Sequence, residues 1–477
     1  MSCATRYNGT SSVMAAVTGC PAAATAQTRP AASRTVQPNQ PGPMDVPQDV
    51  MDLAHYYRDM GATMYIVGGA CRDHLMGQPP ADYDLLVVGL DEMVAPQPFE
   101  QVISNAPVYL VGEHEVALAR REINQGQGKA GFEFVADASI SVGDDLARRD
   151  FTVNAIAYNP LSREFVDPYN GQSDIKQKML RPVSSAFVES PERVLRGAAF
   201  SSRLNFDPSP EFVVYAQAMK HDFETIPREQ LWRFFEKGLV KGVKPGNFLR
   251  VLQVTGWVDH FPPIAAMIDC PQDEEYHPEG DVFAHTAHVM DELAGKGMTL
   301  LLAGLCHDMG KPATTTTKNG RIVSPGHAQH IEPTNQFLDA ICAPKAIRAE
   351  VASLVVNHMA HIGVDVSERY VRRLSKRLQP SSIADLYALA TADHFGRPPL
   401  PKRVPEKLQQ ILEIAQEQRV ESEPIKPLVQ GRHLIQLGMR PSREFGDILR
   451  SAEEAQIDGE FSTVEDGIEW LRDHLNK

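Results

Sequence analysis

Apolar and polar positions change rhythm twice along this chain. From about residue 50 to 170, short apolar runs bounded by turn residues predict strands alternating with helices. The strands predicted are Met64–Val67, Leu85–Val88, Phe132–Val135 and Phe151–Tyr158. From about 175 to 265 the apolar spacing turns helical, as in Phe212–Met219 and Gln230–Leu239, with proline-rich breaks. The stretch 277–394 is helical as well and holds nine of the sixteen histidines. From about 401, helices follow with turn signals at Pro424, Pro427 and Pro441. No repeat of useful period is present. The pattern predicts an α+β chain, with a small mixed sheet and helices at the head and an all-helical neck and body behind it. The expected boundaries are an extension over 1–48, the head over 49–175, the neck over 176–270, a histidine-rich domain over 271–400 and a helical tail over 401–477.

Length narrows this to about three domains, since 477 residues exceed one ordinary core. No run approaches eighteen uninterrupted apolar residues, which argues against a membrane-spanning helix. Lys+Arg of 47 against Asp+Glu of 61 gives a net charge of −14. That excludes a generic polyanion-coating protein but permits an enzyme whose positive charge is confined to one groove. The six cysteines are scattered without a Cys-x-x-Cys spacing, so neither a disulfide scaffold nor a thiolate zinc site is expected. A reducing compartment follows, cytoplasmic by default. Residues 1–48 are rich in Ala, Ser, Thr and Pro and carry no acid before Asp45. They read as a disordered extension, as an early start with Met44 or Met51 as the true one, or as a transit peptide, which would make the location organellar.

The chemistry begins at Gly68-Gly69-Ala70-Cys71-Arg72-Asp73, a glycine turn after an apolar strand. Such a turn lets backbone approach a phosphate closely. Ten residues after Arg72 comes Asp82-Tyr83-Asp84, running into Leu85–Val88. Side chains two apart on a strand share a face, so Asp82 and Asp84 stand together. Two like charges side by side are costly unless a cation sits between them, and Mg²⁺ takes such carboxylates together with substrate phosphates. A solvated acidic turn is the plainer alternative for an isolated Asp-x-Asp, and the glycine turn upstream weighs against it.

These blocks resemble the class II tRNA nucleotidyltransferases and bacterial poly(A) polymerases. The resemblance extends through Asp144-Asp145-Leu146-Ala147-Arg148-Arg149-Asp150 with Asn154, through Asp167-Pro168-Tyr169-Asn170-Gly171, and through Arg193-Val194-Leu195-Arg196, in family order. It implies a polymerase-beta-like nucleotidyltransferase head. It also implies that Asp82 and Asp84 hold catalytic Mg²⁺, that Gly69 and Arg72 contact the nucleotide, and that Arg149 and Arg196 bind its phosphates and sugar. The implied substrates are CTP and ATP with a tRNA or other RNA 3′ end, in CCA addition or in poly(A) addition. Arginine forks suit a triphosphate. The plainer alternative for Arg148, Arg149 and Asp150 is an internal ion-pair cluster.

Two positions depart from the family pattern. Its base-selecting motif is Glu-Asp-x-x-Arg, whose Asp and Arg hydrogen-bond the incoming base; this chain reads Glu189-Ser190-Pro191-Glu192-Arg193. Arg193 is kept, but serine both donates and accepts where aspartate only accepts, so selection against U and G should weaken. Three residues after Arg196, where the family places a further arginine, stands Ala199.

The second constellation runs His277-Pro278-Glu279-Gly280-Asp281, His285, His288, then Cys306-His307-Asp308-Met309-Gly310-Lys311, His327, His358, and Asp393-His394. Neighbouring helix residues diverge by about 100°, so His307 and Asp308 share a metal only if other helices complete the set. This resembles the HD phosphohydrolase superfamily, with His285, His307, Asp308 and Asp393 on its four-ligand pattern and His327 and His358 as additional candidates. The implied cofactor is a divalent transition metal or Mg²⁺, and the implied activity is that of a phosphatase or 2′,3′-cyclic phosphodiesterase. His288, His330, His361 and His394 read as satisfied helix residues. Finally, Arg369, Arg372, Arg373, Lys376 and Arg377 form one basic helical face opposite Val371, Leu374 and Leu378. That face suits RNA phosphates, or simply the solvated side of a packed helix. The competing functional class is a phosphohydrolase whose altered head mainly binds RNA.

Overall fold

The computed structural model describes residues 42–475 apart from 97–98, 103–106 and 125–131. The predicted extension 1–48 therefore lies outside the described residues up to 41. The head is built on β1 (Thr63–Val67), β2 (Asp84–Val88), β3 (Phe99–Gln101), β4 (Val108–Val111), β5 (His114–Leu118), β8 (Ala157–Asn159) and β9 (Glu164–Val166). These form one sheet in the order β3-β4-β5-β2-β1-β8-β9. Only β2 and β5 run parallel in it; the other pairs are antiparallel. A separate hairpin joins β6 (Arg120–Asn124) to β7 (Phe132–Ala136).

The uninterrupted apolar run of β2 has a direct cause. Leu85 and Val87 enter the core shared with helix Gln48–Asp59, and Leu86 enters a second cluster with Val67, Ile140 and Leu146 on the opposite face. A strand covered on both faces carries no polar alternation. Helix Gln48–Asp59 buries Val50, Leu53, Ala54 and Tyr57, the spacing of one helical stripe.

Phe151–Tyr158 is not one strand, in contrast to its apolar pattern. Thr152–Asn154 form a 3₁₀ turn, and pairing resumes only at β8. The side chains explain the break: Thr152 Oγ1 donates to Asp174 Oδ2 at 2.6 Å and Asn154 Nδ2 donates to Asp150 Oδ1 at 3.2 Å. Phe151 itself sits edge-on against Phe187, Phe200 and Phe212, with centroids 5.4, 5.9 and 5.2 Å away. That aromatic group carries the head core into the neck.

The neck centres on helix Glu192–Leu204, packed against helices Arg228–Val240 and Gly246–Val254. The body is helical with two exceptions to the all-helical expectation. Short strands Met179–Leu180 and Asp207–Pro208 pair in parallel, and Thr316–Lys318 pairs with Arg321–Val323. The second is a hairpin whose turn, Asn319-Gly320, has positive φ at both residues (53° and 77°), the geometry Asn-Gly favours.

One hydrophobic core runs from Met44 to Val420, and a separate one holds Val429, Leu434, Ala452, Ala455, Phe461 and Leu471. Helix Glu406–Glu417, grouped with the tail by sequence, thus packs on the body through Ile411 and Ala415.

The basic face of helix Glu368–Arg377 makes ion pairs with the tail while Arg369 and Arg373 stay about half exposed. Arg369 and Arg373 each pair with Asp458, at 2.6 and 2.8 Å, and Lys376 pairs with Glu453 and Glu454. Arg372 Nε donates to the Ile457 carbonyl at 2.7 Å, and Arg377 Nε to Asn357 Oδ1 at 2.7 Å. The acids come from helix Glu444–Asp458 of the tail, so these pairs tie the tail to the body.

Candidate active sites

In the head, β1 delivers Gly68 and helix Gly69–Leu75 to one side of a cavity of about 550 Å³, and the start of β2 with the loop before it delivers Asp84 and Asp82 to another. Tyr83, between them, donates to the Asp45 carbonyl at 3.3 Å, and both carboxylates line the cavity although only Asp84 belongs to the strand. Enclosure by the cavity walls, then the neighbouring Asp82 charge, raise the Asp84 carboxyl above its ordinary pKa. That repulsion is what a shared cation relieves, so the pair fits a divalent ion. Gly68 has φ +72°, and a Cβ there would lie 3.0 Å from Arg149 Nη1 and 3.6 Å from Asp84 Oδ2. Only glycine lets that cation and that carboxylate converge on the turn.

Every nucleotide candidate in the head, Gly69, Arg72, Arg149, Arg193 and Arg196, lines this cavity. A polar chain holds the arginines in place. Arg72 Nη1 donates to Asn154 Oδ1 at 2.7 Å, Asn154 reaches Asp150, and Asp150 pairs with Arg196 at 2.6 Å. Burial works against the Asp150 charge, but Arg196 more than compensates and holds its carboxyl below the usual range. Arg148 and Arg149 pair with Asp145 at 2.9 and 3.6 Å, so the ion-pair reading and the cavity-lining reading are both realised. Arg193 donates from Nη1 to the Ala186 carbonyl at 2.7 Å and from Nη2 to the Arg148 carbonyl at 2.6 Å, tying the neck helix to the head.

Sequence reading missed three contributors. Phe200 carries the guanidinium carbons of Arg72, Arg196 and Arg203 at 5.7, 5.7 and 5.8 Å from its ring centroid, a platform for three cations. Arg203 and Lys241 also line the cavity. Lys241 follows helix Arg228–Val240, which presses Gly238 against the Ala199 backbone; a Cβ on Gly238 would come within 3.1 Å of Ala199 Cα. No local motif marks Lys241, because only the helix packing brings it to the cavity.

In the body, His285 from helix Val282–Glu292, His307 and Asp308 at the end of helix Met298–Cys306, and Asp393 from helix Ile383–Phe395 meet at one point. His285 Nε2 is 3.0 Å from Asp393 Oδ1, and His307 Nε2 is 3.1 Å from Asp308 Oδ2. On the other side of Asp308, Oδ1 lies 3.3 Å from His327 Nε2 and 3.9 Å from His358 Nε2. Asp308 therefore stands between two ligand groups, His285–His307 and His327–His358.

The tautomers decide what these groups are for. His307, His327 and His358 each place Nδ1 on the carbonyl three residues earlier, Gly304, Ser324 and Val355, at 2.8, 2.8 and 2.6 Å. A carbonyl cannot donate, so each Nδ1 carries a proton and Nε2 is the nitrogen left to face Asp308 and its neighbours. His327 and His358 bring those atoms to 3.2 Å of one another, and His307 Nε2 is buried 3.1 Å from Asp308 Oδ2. Ring nitrogens converging beside a buried carboxylate suit a cation. Burial drives the His358 pKa down to about 3, the neutral form a metal requires. Glu279 Oε1 accepts from His285 Nδ1 at 2.7 Å and lies 2.9 Å from His277 Nδ1, a supporting carboxylate that sequence reading left unassigned. The centre opens into a cavity of about 320 Å³ lined also by His277, Lys311, His394 and Arg397. Of the histidines read as structural, His394 and His361 pair with each other at 3.3 Å, and His394 reaches the cavity wall.

Residues 64–181 match the poly A polymerase head domain. The multifunctional CCA protein of Xylella fastidiosa (strain 9a5c) is 35% identical over 355 residues, covering 70% of this chain and 84% of that protein. That of Xanthomonas campestris pv. campestris (strain B100) is 36% identical over 356 residues, covering 70% and 85%. The Bacillus stearothermophilus CCA-adding enzyme, solved in complex with CTP, shares the fold at 19% identity with a TM-score of 0.56, covering 90% of this chain and 97% of that one. No helix among the described residues is long and apolar enough to cross a membrane. With the paired aspartates, the arginine-lined cavity and this likeness over most of both chains, the protein belongs to the multifunctional CCA protein family of nucleotidyltransferases.

Proposed function

We propose that the head adds C and A residues to tRNA 3′ ends from CTP and ATP, and that the histidine-rich half is a separate phosphohydrolase for phosphate monoesters or 2′,3′-cyclic ends. The observation that supports the first is the convergence of Asp82, Asp84, Arg72, Arg149 and Arg196 on one cavity. The second rests on Asp308 standing between two histidine pairs whose Nε2 atoms converge.

Divalent ions, Mg²⁺ in the head and Mg²⁺ or a transition metal in the histidine centre, would neutralise phosphate charge and polarise the reacting oxygens when bound. Asp82 and Asp84 would hold them in the head; His285, His307, Asp308 and Asp393, with His327 and His358, would hold them in the body. In the head, the RNA 3′-hydroxyl gives up its proton to solvent, its oxygen bonds to the α-phosphorus, and the bond from the α-phosphorus to the α–β bridging oxygen breaks as pyrophosphate leaves. Arg149 and Arg196 hold the triphosphate and take up charge as it moves to the leaving group. The Arg72–Asn154–Asp150–Arg196 chain fixes that geometry, so the cost of alignment is met on folding. In the body, Lys311 Nζ sits 2.7 Å from Asp308 Oδ2 and, with Arg397, adds positive charge to the cavity for a phosphate ester.

The test is incubation of the purified chain with Mg²⁺, labelled CTP or ATP, and tRNAs ending before, within or after CCA. Ordered addition that stops at CCA is the expected result. Untemplated A-tailing would assign the head to poly(A) addition. Ser190 and Ala199 favour a second reading, a head that binds RNA while the body hydrolyses; absence of incorporation from every primer would establish it.

A further inference from the structure

We propose that Tyr276 is the platform on which the histidine centre seats the base of a nucleotide substrate. The inference rests on the phosphohydrolase reading of that half and goes beyond it to the residue that tells a nucleotide from other phosphate esters.

Phosphate chemistry accounts for only part of the cavity over this centre. Lys311 and Arg397 bring positive charge beside Asp308 and Asp393. Another part of the wall is apolar: Ile322 and Val323 from the hairpin, Met359 and Ile362 beyond helix Lys345–Asn357, and the ring of Tyr276. Tyr276 is 49% exposed and Ile362 53%. Large apolar side chains left this open and gathered at one cavity mark a ligand that covers them. A small ester such as a glycerol phosphate is polar throughout and would leave that wall wet. A nucleotide carries both parts in one molecule, a phosphate for the charged end and a flat base for the apolar wall. The volume of about 320 Å³ is at the small end for ligand cavities, in keeping with a single nucleotide.

The ring of Tyr276 is held in place from outside the cavity. Its backbone N–H donates to the Asp273 carbonyl at 3.0 Å, which closes a turn. Arg321, on the hairpin strand Arg321–Val323, lays its guanidinium carbon 5.3 Å from the ring centroid. Arg321 Nε donates to Asp273 Oδ2 at 3.1 Å, and the same guanidinium pairs with Glu275, so loop and hairpin are tied together around the ring. Arg321 stands outside the cavity lining, whereas Tyr276 belongs to it. The guanidinium therefore braces one face of the ring and leaves the other to a ligand. The same loop reaches the charged end, where Lys311 Nζ donates to Gln272 Oε1 at 2.7 Å. A ring braced in this way loses little freedom when a base stacks on it, and stacking accepts any base because every base has a π-face.

The test compares kcat/KM of the full chain with divalent metal for adenosine 2′,3′-cyclic phosphate and for glycerol 1,2-cyclic phosphate, which has the same reacting ring and no base. A free nucleotide and an RNA 3′ end present the same base, so the adenosine compound is supplied both free and as the end of a trinucleotide. The wild-type chain should prefer at least one adenosine form by about tenfold or more, and Tyr276→Ala should lower that preference about tenfold, mainly through KM. Tyr276→Phe keeps the ring and should keep the preference. No preference in the wild-type chain, an unchanged preference in Tyr276→Ala, or its loss in Tyr276→Phe would overturn the proposal. If thermal unfolding shows that Tyr276→Ala is not folded, Tyr276→Leu, apolar but without a ring, replaces it with the same expectation. A second readout is independent of turnover. Irradiation of the full chain in EDTA with 8-azidoadenosine 2′-phosphate should label a peptide carrying Tyr276 or Ile362, and label confined to the head would overturn the proposal. Hydrolysis of neither cyclic phosphate by the wild-type chain would instead overturn the phosphohydrolase reading on which the proposal rests.

Discussion

Arg72 and Asn154, 82 residues apart in the chain, are joined by a 2.7 Å hydrogen bond in the wall of the arginine-lined cavity of the head. Arg72 lies in the helix after the glycine turn and Asn154 closes the 3₁₀ turn that follows Asp150. The bond makes two distant motifs one object. Substituting Asn154→Ala removes the acceptor for Arg72 and the amide that braces Asp150. Nucleotide incorporation should fall by about tenfold to a hundredfold, carried largely in KM for the triphosphate, while phosphohydrolase activity stays at its wild-type level. Steady-state kinetics of both reactions on the same preparation check this.

Gly310 sets the spacing of the histidine centre. A Cβ at that position would lie 2.2 Å from the His327 carbonyl oxygen, an overlap with backbone that no rotamer relieves. Gly310→Ala must therefore push the His327 segment away from Asp308. Retained divalent metal, measured after dialysis by elemental analysis, should drop with an affinity loss of about tenfold to a hundredfold, as for other changes just outside a ligand set. Nucleotide incorporation by the head should be unaffected.

The tail is held by charge, and acid should release it. Hydrogen bonds from Arg369, with the charges of Arg369 and Arg373, hold the Asp458 carboxyl below the ordinary carboxylate range. A carboxyl whose folded pKa is depressed contributes fully above its unfolded value of about 4 and loses that contribution as pH falls through the folded value. Helix Glu444–Asp458 should therefore exchange its amide hydrogens faster as pH drops below about 4, once intrinsic exchange rates are corrected for. Asp458→Asn should show the faster exchange already at neutral pH.

Much of the head was legible in the sequence because its chemistry is local. Asp82 and Asp84 both reach the cavity from the short Asp82-Tyr83-Asp84 motif at the start of β2, and the apolar runs of β1 and β2 are too continuous to be anything but buried strands. The candidate histidine ligands were legible as residues, but the carbonyl contacts of their Nδ1 atoms and the approach of His327 to His358 exist only in the fold. Three features escaped for one reason, that long-range packing decides them. Phe151–Asn154 has the composition of a strand, but Phe151 is drawn into a neck cluster with Phe187 and Phe212. The basic face of Glu368–Arg377 looks solvated until Asp458, 85 residues after Arg373, is placed against it. Lys241 and Arg203 carry no motif at all. The Asn319-Gly320 turn is different; it was a readable hairpin signal within a stretch whose helical pattern obscured it.

The central claim is that one chain carries two separable catalytic centres, and reciprocal mutation tests it most directly. The full-length protein, Asp82→Ala, and the double variant His307→Ala/Asp308→Ala would each be assayed for CTP and ATP incorporation into tRNA and for hydrolysis of a 2′,3′-cyclic nucleotide. The account predicts that Asp82→Ala loses incorporation and keeps hydrolysis, and that the double variant does the reverse. Survival of both activities in both variants, or loss of both activities in either folded variant, would contradict it.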